Sequence, residues 1–201
     1  MNTFSIELAS AIRDFGLVEL TSDQAKKLTE HYELMIDWNQ RMNLTRITEP
    51  AAAARLHYAE SIFGSRFIGP ARTLLDIGSG AGFPGIPIAI LRDDVAVTLL
   101  ESNQKKASFL REAAVHLSLP NVAVAAERLE QFDWQTFDFL VTRALDRADR
   151  ILRQAVKRLH SDQRLAVYCS MDLLNKLNSF GRRVEAHAIP WTQNRFVALF
   201  G

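Results

Sequence analysis

Over residues 74–89 an apolar stretch runs into a cluster of glycines and back into apolar residues, with Asp76, Gly78, Gly80, Gly82 and Gly85 at fixed offsets. Few folds accommodate that order. Thr73 to Ile77 is a short apolar run suited to a strand buried on both faces, as parallel strands are. Closely spaced glycines then let the backbone turn sharply and let a ligand come near. From Gly85 the apolar residues resume at helical spacing, with Pro87 tolerated in the first turn. Strand, glycine loop and helix together open a doubly wound α/β domain. Such a loop is expected to aim free N–H groups and a positive helix end at its ligand.

Which ligand it takes turns on charge. Gly80, Gly82 and Gly85 satisfy the spacing of a dinucleotide turn, and Glu101 lies at a suitable distance downstream to hold a ribose. Asp76 argues the other way, because a carboxylate at the mouth of the strand repels a pyrophosphate. A nucleoside bearing an ammonium and a sulfonium welcomes that charge, and S-adenosyl-L-methionine is such a ligand. Asp-x-Gly-x-Gly-x-Gly after an apolar strand resembles the first motif of the class I methyltransferases. The glycine spacing by itself leaves an NAD-dependent oxidoreductase as an alternative.

The 201 residues suffice for one domain with a substantial core and a small appendage. A net charge of +1 gives no global pull towards nucleic acid, so any RNA affinity must come from a local basic face. The first residues lack the basic start and long apolar core of a signal peptide, and no stretch approaches a membrane span. Cys169 is the one cysteine, which excludes a disulfide within the chain and a cysteine metal site. The expectation is a cytoplasmic monomer with no metal.

Residues 1–70 read as an N-terminal helical extension packed on a core of residues 71–201. A short amphipathic helix covers residues 5–15. Thr21, Ser22, Asp23 and Gln24 supply a helix start. Ala25, Leu28, Tyr32, Met35, Trp38 and Met42 then form one apolar stripe. Asn39 and Asn43, near the end of this helix, read on their own as helix-terminating amides, and His57 as a hydrogen-bonded structural residue. After Gly69 and Pro70, strands at 73–77, 95–100, 122–126, 137–141 and 164–168 alternate with helices, and 182–189 pairs with 195–200. That order predicts a mostly parallel, seven-stranded sheet with helices on both faces.

In such a sheet the ligand crosses the carboxyl ends of the strands. Glu101 there either accepts both ribose hydroxyls or caps the following helix. Leu129, through its backbone, and Glu130 are placed to read an adenine edge. Arg143 projects into the crevice where donor and acceptor meet, or forms a salt bridge. Lys105, Lys106 and Arg111, and the stripe of Arg147, Arg150, Arg153 and Lys157, are solvated faces by default and phosphate tracks at most.

The motifs that are missing narrow the chemistry. An Asn/Asp-Pro-Pro-aromatic sequence, which accompanies methylation of exocyclic amines, is replaced after the fourth strand by Thr142, Arg143, Ala144 and Leu145. Cys169 lacks the neighbouring proline of a pyrimidine carbon-five nucleophile. A guanine N7 has its own lone pair and needs no base, only alignment and a suitable field. No general base is therefore assigned, and Arg143 is the positioning and electrostatic candidate.

The chain further carries Trp38-Asn39 with Asn43-Leu44-Thr45, His57-x-x-Glu60-Ser61, the Gly-Phe-Pro-Gly-Ile-Pro run at residues 82–87, Leu100-Glu101-Ser102 with Lys105-Lys106, Arg128-x-Glu130, and Thr142-Arg143-Ala144. In that order they resemble the ribosomal small-subunit methyltransferase G family, also called glucose-inhibited division protein B. The resemblance implies methyl transfer from S-adenosyl-L-methionine, leaving S-adenosyl-L-homocysteine, to N7 of a guanine in 16S rRNA of the small ribosomal subunit. It implies that Gly78, Phe83, Leu129, Glu130 and Arg143 line the donor site, beside Asp76, Ser79, Gly80 and Glu101. It also raises Asn39, Asn43 and His57 to substrate-side residues, joining Lys105 and Arg128 as RNA candidates. Two departures stand out. Tyr168-Cys169-Ser170 replaces a Lys-Gly at the end of the fifth strand, and Glu60 replaces an aspartate. They leave open a donor-binding assembly protein with impaired catalysis.

Overall fold

The computed structural model describes residues 2–143 and 149–201. Three helical segments precede the first strand. Helix α1 (Thr3–Asp14) starts at Asn2, whose side chain accepts from Ser5 N. Helix α2 (Ser22–Asn39) starts at a capping box, in which Thr21 and Gln24 bond each other's backbone at 3.2 and 3.0 Å. The third segment begins with α3 (Pro50–Ala53), capped by Glu49, and continues through a π-helical turn (Ala54–Ala59) into α4 (Glu60–Ser65). His57 therefore lies inside a helix. Every residue from 57 to 64 is buried, so this segment runs through the interior.

The described strands are β1 (Thr73–Ile77), β2 (Ala96–Leu100), β3 (Val122–Ala125), β4 (Phe139–Arg143), β5 (Arg164–Ser170), β6 (Glu185–Ala188) and β7 (Arg195–Phe200). They form one sheet in the order β3-β2-β1-β4-β5-β7-β6, parallel except for β7, which is antiparallel to β5 and β6. Helices α5 (Gly85–Leu91) and α6 (Gln104–His116) follow β1 and β2. Helices α7 (Asp149–Arg158) and α8 (Met171–Leu177) follow β4 and β5. The strand order reverses between β1 and β4, which puts the ligand crevice at their carboxyl ends.

Neighbouring residues of each strand point into different cores. Leu74, Val97, Leu99, Phe139, Val141 and Tyr168 face α5, α6 and the N-terminal helices. Leu75, Ile77, Leu100, Leu140, Val167 and Cys169 face α7 and α8. Both faces are covered, so the strands read as unbroken apolar runs. Of the arginine stripe, Arg147 and the Arg150 side chain lie outside what is described. Arg153 stacks its guanidinium over Phe180 at 4.2 Å, and Lys157 is exposed.

Candidate functional site

The loop after β1 turns its donors inward. Gly78 N and Ser79 N both donate to Leu100 O, at 2.8 and 3.1 Å, and Gly80 N donates to Glu101 Oε2 at 3.0 Å. Gly82 N and Phe83 N donate to Ser79 O. Gly85 N, at the start of α5, donates to Asp76 Oδ2 at 3.0 Å. A loop that cradles phosphates leaves such groups free for its ligand. Here the end of β2 and a buried carboxylate take them, which corrects the expectation of free N–H groups. The approach is close as well. A Cβ at Gly85 would lie 2.3 Å from Leu99 and 2.6 Å from Asp76 Oδ2, so only glycine lets α5 begin against that carboxylate.

What the loop meets instead is two carboxyls, those of Asp76 and Glu101. Asp76 is fully buried, and burial lifts its carboxyl to about 7, against the pull of Gly85 N–H and the Arg143 charge. Among the described residues, Asp76 Oδ1 has no hydrogen-bond partner. Glu101 bonds Gly80 N through one oxygen and Asn103 N, at 2.8 Å, through the other. The cap of α6 is Asn103, which accepts from Lys105 N and Lys106 N. Glu101 thus ties the glycine loop to the start of α6 rather than capping the helix, and each of its oxygens keeps a further lone pair.

Beside Glu101 opens a cleft of about 230 Å³, lined by Gly78, Leu100, Glu101, Ser102 and residues 127–130. It brings together Gly78, Glu101, Leu129 and Glu130, and it adds Arg128, assigned from the sequence to RNA. Leu129 is half-buried against the second core, whereas Arg128 and Glu130 are exposed. Ser79 is buried and donates its hydroxyl to Asp76 O.

Phe83 and Arg143 lie apart from this cleft, in a buried polar cluster built with the helical segment. His57 stacks on Phe83 with centroids 4.4 Å apart, and His31 meets the same ring edge-on at 5.3 Å. Arg143 Nη2 donates to His57 Nδ1 at 2.6 Å. A guanidinium can only donate, so Nδ1 must accept and Nε2 carries the proton, which it gives to Thr45 Oγ1 at 2.9 Å. Asn39 Oδ1 in turn accepts from Leu44 N and Thr45 N. Burial first, then the Arg143 charge, hold His57 down at about 2, and burial holds His31 at about 3. Both rings are neutral at physiological pH. His57 is neither exposed nor charged, and Asn39 is half-buried with its Oδ1 engaged by backbone. Asn43 and Lys105 are exposed.

The cluster has a second cation. Glu60 is fully buried and binds Arg195 of β7 through both oxygens, at 2.6 and 2.7 Å. Burial raises its carboxyl, and Arg143 and Arg195 oppose the rise. Tyr168, which replaces the expected lysine, pairs with Arg143 in the β4–β5 register and donates its hydroxyl to Ser61 O at 3.1 Å. Gly64 makes room for that phenol, since a Cβ there would collide with Tyr168 Oη at 1.8 Å. Among the described residues, Arg143 Nη1 is buried with no hydrogen-bond partner. His31 and Arg195 went unrecognised in the sequence. The signal for His31 was faint: an imidazole on the inward face of α2 between Leu28 and Met35. Arg195 had none.

Comparison with known proteins agrees with this architecture. The family model described as rRNA small subunit methyltransferase G matches residues 24–194. The ribosomal RNA small subunit methyltransferase G of Chromobacterium violaceum is 36% identical over 154 residues, covering 76% of this chain and 73% of the relative. Its namesake from Methylobacillus flagellatus is 40% identical over 139 residues, covering 69% and 67%. Among solved structures, a SAM-dependent methyltransferase from Aquifex aeolicus superposes with a TM-score of 0.61 over 79% of this chain and 97% of its own. At 17% identity that likeness speaks for the fold, a class I methyltransferase fold. With the family model spanning the buried helical segment, the glycine loop and Arg143 alike, this chain belongs to the rRNA small subunit methyltransferase G family.

Proposed function

We propose that this protein transfers a methyl group from S-adenosylmethionine to N7 of a guanine in 16S rRNA of the small ribosomal subunit. The observation that carries the reading is the inward wiring of the glycine loop. Its donors are engaged by Leu100, Glu101 and Asp76, so the site presents carboxylates to its ligand and suits a cationic nucleoside. The same wiring opposes a pyrophosphate and hence NAD. Relatives carrying the methyltransferase name support the acceptor.

In this reading Gly78, Leu129 and Glu130 border the adenosine, and Glu101 accepts from the ribose hydroxyls. Asp76, beside Ser79, favours the cationic amino-acid end, and the positive charge of Arg143 suits the donor's carboxylate. S-adenosylmethionine supplies an electrophilic methyl, and the C–S electrons stay on sulfur as N7 takes it. N7 carries its own lone pair, so no residue has to remove a proton. The chain's part is to hold the two atoms in line. Phe83 is fixed between His57 and His31 and keeps the donor loop against the Arg143 cluster. Asn43, Lys105 and Arg128 are exposed where RNA can reach them.

The protein acts in the cytoplasm, as a monomer, on this view. Among the described residues, no helix is long and apolar enough to cross a membrane.

The test is transfer of labelled methyl from S-adenosylmethionine to small subunits lacking the modification, and to deproteinised 16S rRNA, with the label mapped. Label at one guanine N7 is expected. Donor binding without transfer to either substrate would overturn the activity and favour an assembly role.

A further inference from the structure

The proposed acceptor is RNA, and one rim of the crevice carries side chains that neither the donor cleft nor the buried cluster uses. Strand β7 is antiparallel to β5, with Arg195 opposite Ser170. The loop from β6 to β7 therefore emerges at the carboxyl edge of the sheet, as do Gly78, Glu101 and Arg143. Two further bonds pin it there: Met171 N donates to Asn194 Oδ1 at 3.0 Å, and Ile189 N to Arg195 O at 2.9 Å.

At the tip of this loop Trp191 is 72% exposed, with φ +62°. A tryptophan in the left-handed region is strained and is held there by its surroundings. Its indole N–H donates to Asp14 O at the end of α1, which fixes one edge of the ring and leaves most of its area in solvent. Met171, at the start of α8 and bonded to Asn194 of this loop, is 39% exposed. Four residues beyond Trp191 comes Arg195, within about 14 Å along even a fully extended chain. Arg195 reaches down to Glu60 in the buried cluster, while its side chain stays 38% exposed. Where a lysine was expected at the end of β5, Tyr168 is turned inward. Among the described residues, this part of the rim presents an indole and a thioether beside the partly exposed Arg195.

Unpaired bases are bound by stacking on rigid aromatic faces, whichever base it is. Drawing a guanine into the crevice takes it out of its stack, which leaves a neighbouring base without one stacking partner. We infer that Trp191 is the stacking platform for an unpaired RNA base next to the target guanine. This rests on the proposed acceptor.

The experiment measures initial rates on small subunits lacking the modification, with wild type, Trp191→Ala and Trp191→Phe, and S-adenosylhomocysteine affinity alongside. Loss of one base stack raises the subunit KM by about fivefold to a hundredfold. That rise is expected in Trp191→Ala, with kcat and S-adenosylhomocysteine affinity within twofold of wild type, and Trp191→Phe should recover most of it. An unchanged KM in Trp191→Ala overturns the inference. So does a Trp191→Phe variant as impaired as alanine, because the indole would then act through its bond to Asp14. If Trp191→Ala does not fold, tryptophan quenching by deproteinised 16S rRNA decides: it should shrink in Trp191→Phe, and equal quenching overturns the stack. A wild type that binds donor but methylates nothing overturns the proposed function, and this inference falls with it.

Discussion

Asp76 holds a charge that its surroundings resist, and that makes donor binding depend on pH. In the free protein its carboxyl sits at about 7, raised by burial from the ordinary value of 3.8. Relative to the unfolded chain, this group favours folding below pH 4 and works against it as pH rises through 7. A ligand with an ammonium reverses the preference by stabilising the carboxylate, so binding below pH 7 must expel a proton. S-adenosylmethionine affinity should rise between pH 5.5 and 7, by at most about tenfold per unit, and level off above. Asp76→Asn should bind weakly and lose that slope. Calorimetric titrations at several pH values check it, and a flat wild-type profile would show that the carboxylate does not sense the donor. Asp76 and Glu101 were legible because motif and site coincide within a few residues of a strand end. Glu60 and Arg195 were not, because 135 positions separate them and only the fold makes them partners.

At the scale of elements, that pair is what joins α4 to β7. Glu60 has no water to fall back on, whereas Arg195 is partly exposed, so breaking the pair costs most when it strands the carboxylate. Arg195→Ala leaves Glu60 buried with one partner gone, and should destabilise the fold by about 3–5 kcal/mol. The unpaired carboxyl then favours its neutral form. The loss should therefore be larger at pH 8 than at pH 5.5, and adding Glu60→Gln should return part of it. Urea denaturation at the two pH values reads this out, and equal losses would mean that Glu60 stays ionised through another contact. The sequence carried the strands, the capping box of α2 and the glycine loop, each fixed by local chemistry. It did not carry the π-helical turn, whose extra residue per turn is imposed by packing. That turn leads into residues 57–64, all of them buried, where His57 reaches Arg143 and Glu60 reaches Arg195. A periodicity reading has no face to find in such a segment.

For the whole molecule the question is whether residues 1–70 form a separate extension. Phe4, Leu8, Leu28, Met35 and Tyr58 share one apolar cluster with Leu74, Phe83, Val97 and Phe139, which supports a single unit. Phe4 lies flat on Tyr32 at 4.1 Å and edge-on to Tyr58, which in turn meets Phe83 of the donor loop. Three rings thus carry contact from the first helix to the donor loop. A helix as short as α1 has little stability of its own, so it stands on this packing. Phe4→Ala should cost about 3–5 kcal/mol, charged to the whole fold and not to α1 alone. The decisive reporter is Trp134, buried in the other core on the far side of the sheet, isolated by replacing Trp38 and Trp191 with phenylalanine. In a single cooperative unit, far-UV circular dichroism and Trp134 fluorescence lose their signal at one denaturant concentration, and Phe4→Ala moves both together. An independent extension would give a Phe4→Ala variant with an early loss of helix and an unmoved Trp134 transition. The first outcome means that the donor loop cannot keep its shape while the N-terminal helices are unfolded, so acceptor-side and donor-side residues are ordered by the same folding event.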